Sequence, residues 1–282
     1  MDSRNRPPPS AGIWAHHELA LAALTESMQA LADVPSLVVK GMVLAYALYS
    51  DPASRPMGDI DLRVRPGDFL RAVRVMHRRG YRPVWSSRQL GAVSFNVRGM
   101  AVEIESTIGP PGLCALSVSG MLERSRERVL PGGLRVREPD LLDHAIIMLV
   151  NAFKDKMSQC PDWSLDDLES LCDHVDLDVL VTRVKQARIG SLAWIAADWM
   201  AQRRAAPVWS ELLARLGTRT PRPYYTAIMR RWLARDSATT GLQVLARLAN
   251  DSIAQRSLAV AATAAGCAVW WIAALTPAQA AP

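Results

Sequence analysis

At 282 residues, half of them hydrophobic and 21% charged, the chain can bury one large core or two ordinary ones, and it is not composed like a disordered protein. A formal charge of +6 and a pI near 9.4 suit polyanionic ligands such as nucleotides. They equally suit a plain surplus of surface arginine, because the basic residues are scattered rather than set in one stripe. Cys114, Cys160, Cys172 and Cys267 form no CxxC pair, which speaks against a zinc site or a disulfide framework and for free thiols in a reducing cytoplasm.

Residues 1–12, "MDSRNRPPPSAG", lack the apolar stretch of a signal peptide and read as a disordered lead. "WAHHELALAALTESMQALADV" follows with helical spacing and ends near Pro35. "SLVVK" predicts a short buried strand, Gly41 opens the apolar helix "MVLAYALYS", and "DPASRPMG" carries turn chemistry. "DIDLRV" then alternates: Ile60, Leu62 and Val64 share one face of a strand, Asp59 and Asp61 the other. "PGDFLRAVRVMHRRG" is an amphipathic helix between Pro66 and Gly80. "YRPVWSS" predicts a strand, and "LGAVSFNVRGMAVEIESTIG" a hairpin turning at Arg98-Gly99.

Beyond this the character changes. "RERVLPGGLRVRE" predicts a short hairpin, and helices are expected over 140–157, 164–174, 177–186, 191–203, 207–216, 221–235 and 239–250. Residues 258–275 carry no charge and reach the lower limit for a membrane span, but their alanine content favours a buried or docking helix. An interfacial helix anchored by Trp270 and Trp271 is the alternative. The expected organisation is a lead over 1–12, an α/β domain over 13–115 and a helical domain over 116–282, with the change falling within 113–139.

Two aspartates side by side on one strand face repel unless a cation compensates. They are either solvated at a strand end or hold a metal ion. "AVEIE" places Glu103 and Glu105 on one face of a second strand; paired beside "DIDLRV", that strand would bring a third carboxylate to the aspartates. Three converging carboxylates are a ligand set for hard divalent ions. His16, His17, His77, His144 and His174 show no ligand spacing, and the tryptophans sit at helical positions that suggest core rather than a stacking platform.

The order "VVKG", apolar helix, "RPMGDIDLRV", helix, "GY", hairpin, "VEIE" resembles the nucleotidyltransferase superfamily that includes DNA polymerase beta, and within it the bacterial nucleotidyltransferase family proteins. The likeness is good over residues 35–110 and weaker into the helices. It implies an α+β fold, with a mixed sheet and flanking helices followed by an all-helical C-terminal domain. It also implies two magnesium ions on Asp59, Asp61 and Glu103, with Glu103 able to act as base. Lys40, Gly41 and Arg55 would meet the NTP, Arg55 either by binding phosphate or by pairing with Asp59. Glu105, Lys154, Lys156 and Asp167 are candidates toward the acceptor.

Three departures stand out. Lys40-Gly41 replaces the Gly-Ser of other members, the third acid is Glu, and "NAFKDK" puts Asn151 and Asp155 where relatives carry histidines. The implied activity is transfer of a nucleotidyl group to a hydroxyl on a small molecule or modified peptide, as in natural-product tailoring, without stable nucleic-acid binding. Alternatives are a binding or antitoxin-like module that lost turnover, or another group transfer on a phosphorylated substrate.

Overall fold

The computed structural model describes residues 11–87, 91–155, 157–217 and 250–275. The predicted helix at 221–235, all but the last residue of the one at 239–250, residues 1–10 of the lead, and Lys156 lie outside them. The first helix, α1 (Ala11–Ala30), begins two residues inside the expected lead and buries Ala20, Leu24 and Ser27 at helical spacing.

Strand β1 (Ser36–Val39) leads into α2 (Gly41–Leu48), then β2 (Asp59–Val64), α3 (Phe69–Arg78), β3 (Pro83–Ser87), β4 (Ala92–Val97) and β5 (Met100–Glu105), matching the expected succession. The five strands form one sheet in the order β1-β2-β5-β4-β3. β2 pairs with β5 in parallel, and every other pairing is antiparallel. The mixture follows from the connections. A two-residue turn with positive φ at both Arg98 (54°) and Gly99 (86°) returns β4 into β5. β2 and β5, in contrast, are separated by α3 and the β3–β4 pair, which lets them run the same way.

One sheet face is apolar: Ile60, Leu62, Val64, Phe95, Val102 and Ile104 are at most 2% exposed and pack with Leu24 of α1 and with Ala72 and Met76 of α3. The polar face is left for the second half of the chain. That half contains α4 (Val118–Arg124), the expected hairpin as β6 (Arg126–Val129) and β7 (Arg135–Glu138), then α5 (Leu141–Lys154), α6 (Asp162–Asp173), α7 (Leu177–Gln186), α8 (Gly190–Ala201) and α9 (Pro207–Leu216). Leu130 and Val136 of the hairpin join the core of the sheet, whereas Leu37 and Val39 of β1 join the core of the helices.

The terminal helix α10 (Ile253–Leu275) starts five residues before the predicted segment. Among the described residues no helix is long and apolar enough to cross a membrane. α10 docks instead on the loop at Gly112, whose φ is +84°. A Cβ there would lie 2.4 Å from the Gln255 carbonyl oxygen and 2.6 Å from the Ala259 nitrogen, both backbone atoms that cannot swing aside. Gly112→Ala should therefore cost about 1–3 kcal/mol and make α10 the first site of proteolytic cleavage. Thermal melting with limited proteolysis checks this, and an unchanged digestion pattern would argue against the docking.

Candidate active site

The parallel register sets Asp61 directly opposite Glu103, and Asp59 lies one side-chain repeat along the same face. Asp59, Asp61 and Glu103 each offer a carboxylate oxygen, and the three atoms lie within 4.8 Å of one another. Asp61 is buried, while Asp59 and Glu103 are half-buried. Burial, reinforced by Asp61, raises the Asp59 carboxyl above its ordinary value, and burial with both aspartates does the same to Glu103.

Cations answer part of this charge. Lys40 Nζ donates to Asp61 Oδ1 at 2.7 Å, and Arg63 Nη1 stands 3.8 Å from the same oxygen. Burial alone would raise the Asp61 carboxyl, but Lys40 and Arg63 together hold it below the usual range. Arg63 also pairs with Glu105 through Nη2. Glu105 shares a face with Glu103, yet Arg63 draws it away from the cluster, so the structure brings together Asp59, Asp61 and Glu103 without it. The Lys40 side chain is 15% exposed, so it does not extend into solvent from the strand end. Its backbone has φ 54°, ψ −129°, and its N–H is donated to His144 Nε2 at 3.2 Å. Burial, with Arg126, Arg128 and Arg55 nearby, pushes His144 down to about 3, so the neutral imidazole accepts that bond and fixes an uncommon backbone turn for a non-glycine residue.

Arg55 corrects a second expectation: it pairs with Asp167, 112 residues away, rather than with Asp59. Its Nε and Nη2 donate to Asp167 Oδ2 at 2.9 and 2.7 Å, and Tyr49 Oη donates to Asp167 Oδ1 at 2.7 Å. Asp167 is fully buried and both its oxygens are engaged, so it ties the loop before β2 to α6 and does not face an acceptor. The Arg55 guanidinium also lies 4.8 Å from the ring centre of Trp163.

A cavity of about 450 Å³ opens over the acids, lined on the sheet side by Lys40, Gly41, Arg55, Asp59, Asp61 and Glu103. Its far wall is α5 and the start of α6, including Met148, Asn151, Lys154, Asp155 and Trp163. His144, Met148, Asn151 and Asp155 are spaced four, three and four residues apart, one stripe of a helix. Asn151 and Asp155 thus face the cavity that the acids line. Gly41 lines the cavity and begins α2, whose N-terminus has no side-chain cap.

The site suits divalent cations. Its donors are hard carboxylate oxygens, and neither Asp59 nor Glu103 has an ion-pair partner among the described residues. Three residues escape the sequence reading: Arg63, His144 and Trp163. Arg63 was within reach, because it continues the Asp59–Asp61 alternation by one more step onto the same face. His144 and Trp163 act through contacts across the chain that no local spacing announces.

Residues 13–206 match the family model described as "Uncharacterised nucleotidyltransferase". No curated protein matches the chain. Among solved structures, it aligns with a "tRNA-processing enzyme (apo form I)" at 10% identity over 87% of this chain and 79% of that one, with a TM-score of 0.26. It also aligns with the Thermotoga maritima CCA-adding enzyme complexed with tRNA at 12% identity over 86% and 81%, again with a TM-score of 0.26. On the family match, which covers well over half its length, the chain belongs to this uncharacterised nucleotidyltransferase family.

Proposed function

We propose that the chain transfers a nucleotidyl group from an NTP to a hydroxyl of a small-molecule or modified-peptide acceptor, with two magnesium ions held by Asp59, Asp61 and Glu103. The observation that carries this reading is the convergence of those three carboxylates at the floor of a cavity, in a chain of nucleotidyltransferase family. Ions bound there would draw charge from the triphosphate and the leaving pyrophosphate.

The chain's own residues divide the remaining work. The uncapped N-terminus of α2 at Gly41 and the Lys40 ammonium would meet phosphate oxygens. Glu103, its carboxyl raised and without a cationic partner among the described residues, accepts the proton of the attacking hydroxyl. The α5 stripe of Asn151 and Asp155, with Lys154, lies opposite and would contact the acceptor.

Trp163, backed by Arg55, offers its ring at the same cavity, and we assign it to the nucleobase. Trp163→Ala should raise KM for the NTP about tenfold or more, the loss of roughly 1–3 kcal/mol of stacking, with Trp163→Phe recovering most of it. Steady-state kinetics against each NTP would show this, and an unchanged KM would remove Trp163 from the base site.

The competing reading is a binding module without turnover, and one contact favours it: the Lys40 ammonium sits directly on Asp61. Binding and pyrophosphate release with the four NTPs, with and without magnesium, separate the two. Metal-dependent NTP binding with no release across a panel of hydroxyl acceptors would select the binding module; metal-dependent release supports transfer.

A further inference from the structure

The scattered arginines of the sequence are not scattered on the molecule. Between Arg65 and Arg82 the chain carries six arginines and one acid, Asp68, which accounts for five of the six net positive charges of the whole protein. All six arginines are exposed: Arg65, Arg71, Arg74, Arg78, Arg79 and Arg82. None of them makes an ion pair among the described residues, although most other arginines of the fold do. Glu26 of α1, the acid joined to Tyr81, is occupied by Tyr81 and Arg98. Arg71, Arg74 and Arg78 are three and four residues apart and so form one stripe along about 10 Å of α3, on the side away from the buried Ala72 and Met76.

Unpaired guanidinium groups at this density raise a local potential that repels itself and attracts a polyanion. We propose that the outer face of α3, with Arg79 and Arg82 beyond its end, binds the phosphate backbone of single-stranded RNA. A lipid surface fits less well. A helix that lies in a membrane interface buries an apolar face in lipid, whereas α3 has spent Phe69, Ala72, Val73, Val75 and Met76 against the sheet and leaves only Leu70 exposed among its large apolar residues. The edge strand β3 that follows leaves Trp85 48% exposed, an aromatic surface of the kind unpaired bases stack on, and its pairing with Ser94 sets it on the acid side of that sheet edge. The arginine stripe itself covers the sheet face opposite the acids, so the inference departs from the expectation of no stable nucleic-acid binding and stands independently of the transfer reading.

Fluorescence anisotropy of a labelled 20-nucleotide single-stranded RNA, titrated at several NaCl concentrations, tests it. The native protein should bind with strong salt dependence. Arg71→Ala/Arg74→Ala/Arg78→Ala should weaken binding at least tenfold at low salt and flatten the log–log salt slope by about 2, at roughly 0.7 per lost phosphate contact. Arg203→Ala/Arg215→Ala, at exposed positions just past α8 and on α9, should leave binding within about twofold if the stripe and not bulk charge is responsible. The triple variant replaces only exposed side chains and should keep the native melting temperature. No binding by native protein at low salt, an unchanged slope in the triple variant, or equal losses in the control variant would overturn the proposal. So would preferential binding to phosphatidylglycerol vesicles that the triple substitution abolishes, which would make the partner a membrane.

Discussion

Asp59→Asn and Asp61→Asn should each lower nucleotidyl transfer about 10³-fold or more, a loss on the order of 4 kcal/mol of transition-state stabilisation, yet they should move stability in opposite directions. Asp59 is half-buried, repelled by Asp61 and Glu103, and has no ion pair among the described residues, so losing its charge relieves repulsion and leaves no cation stranded. Asp61 is the partner of Lys40 and faces Arg63, both largely buried. Neutralising it leaves those cations uncompensated and should cost about 2 kcal/mol, softened because asparagine still accepts from Lys40. Pyrophosphate release and urea midpoints on the same preparations give both readouts. Transfer that survives either change would sink the assignment of that aspartate. A destabilised Asp59→Asn would show that the charge balance has been misread.

The largest effect on stability is expected at Arg55 and Asp167. Removing either partner of a buried, hydrogen-bonded pair strands the other, and Arg55 is 3% exposed and Asp167 fully buried. Arg55→Met and Asp167→Leu should each cost about 3–5 kcal/mol, and the double variant should regain most of that loss. Asp167→Leu also deprives Tyr49 of its acceptor, so it should be the worse of the two singles. Equilibrium urea unfolding measures the cycle, and singles within 1 kcal/mol of native would show that the pair contributes only geometry. Because this pair joins the loop before β2 to the middle of α6, one turn on from Trp163, both single variants should also weaken NTP binding, by loosening the cavity wall that carries Trp163.

Much of this was written in the residues. The alternation of "DIDLRV" and "VEIE" names two strands with acids on one face, and the connection through an amphipathic helix lets them pair in parallel. What local pattern cannot supply is partnership at a distance. Glu103 and Glu105 look equivalent along the strand, and only Arg63, one repeat past Asp61, distinguishes them by capturing Glu105. The resemblance implies a phosphate contact for Arg55 and its nearness in sequence suggests Asp59, whereas its partner lies on α6. The arginines around α3 seemed dispersed because a helix gathers onto one stripe residues that the sequence spaces three and four apart. Nothing in the local pattern singles out Gly112, since the backbone it accommodates belongs to α10.

The parallel pairing of β2 with β5 has a consequence for how the molecule comes into being. The two acid-bearing strands are adjacent in space but about forty residues apart in the chain, so their contact carries a large loop-closure entropy and is slow to form relative to the local β4–β5 turn. Helices and hairpin can assemble without bringing Glu103 against the two aspartates. Beyond the repulsion between Asp59 and Asp61 already present along β2, the opposition that Glu103 adds is deferred to the step that closes the sheet, so the acid cluster is completed without obstructing early folding.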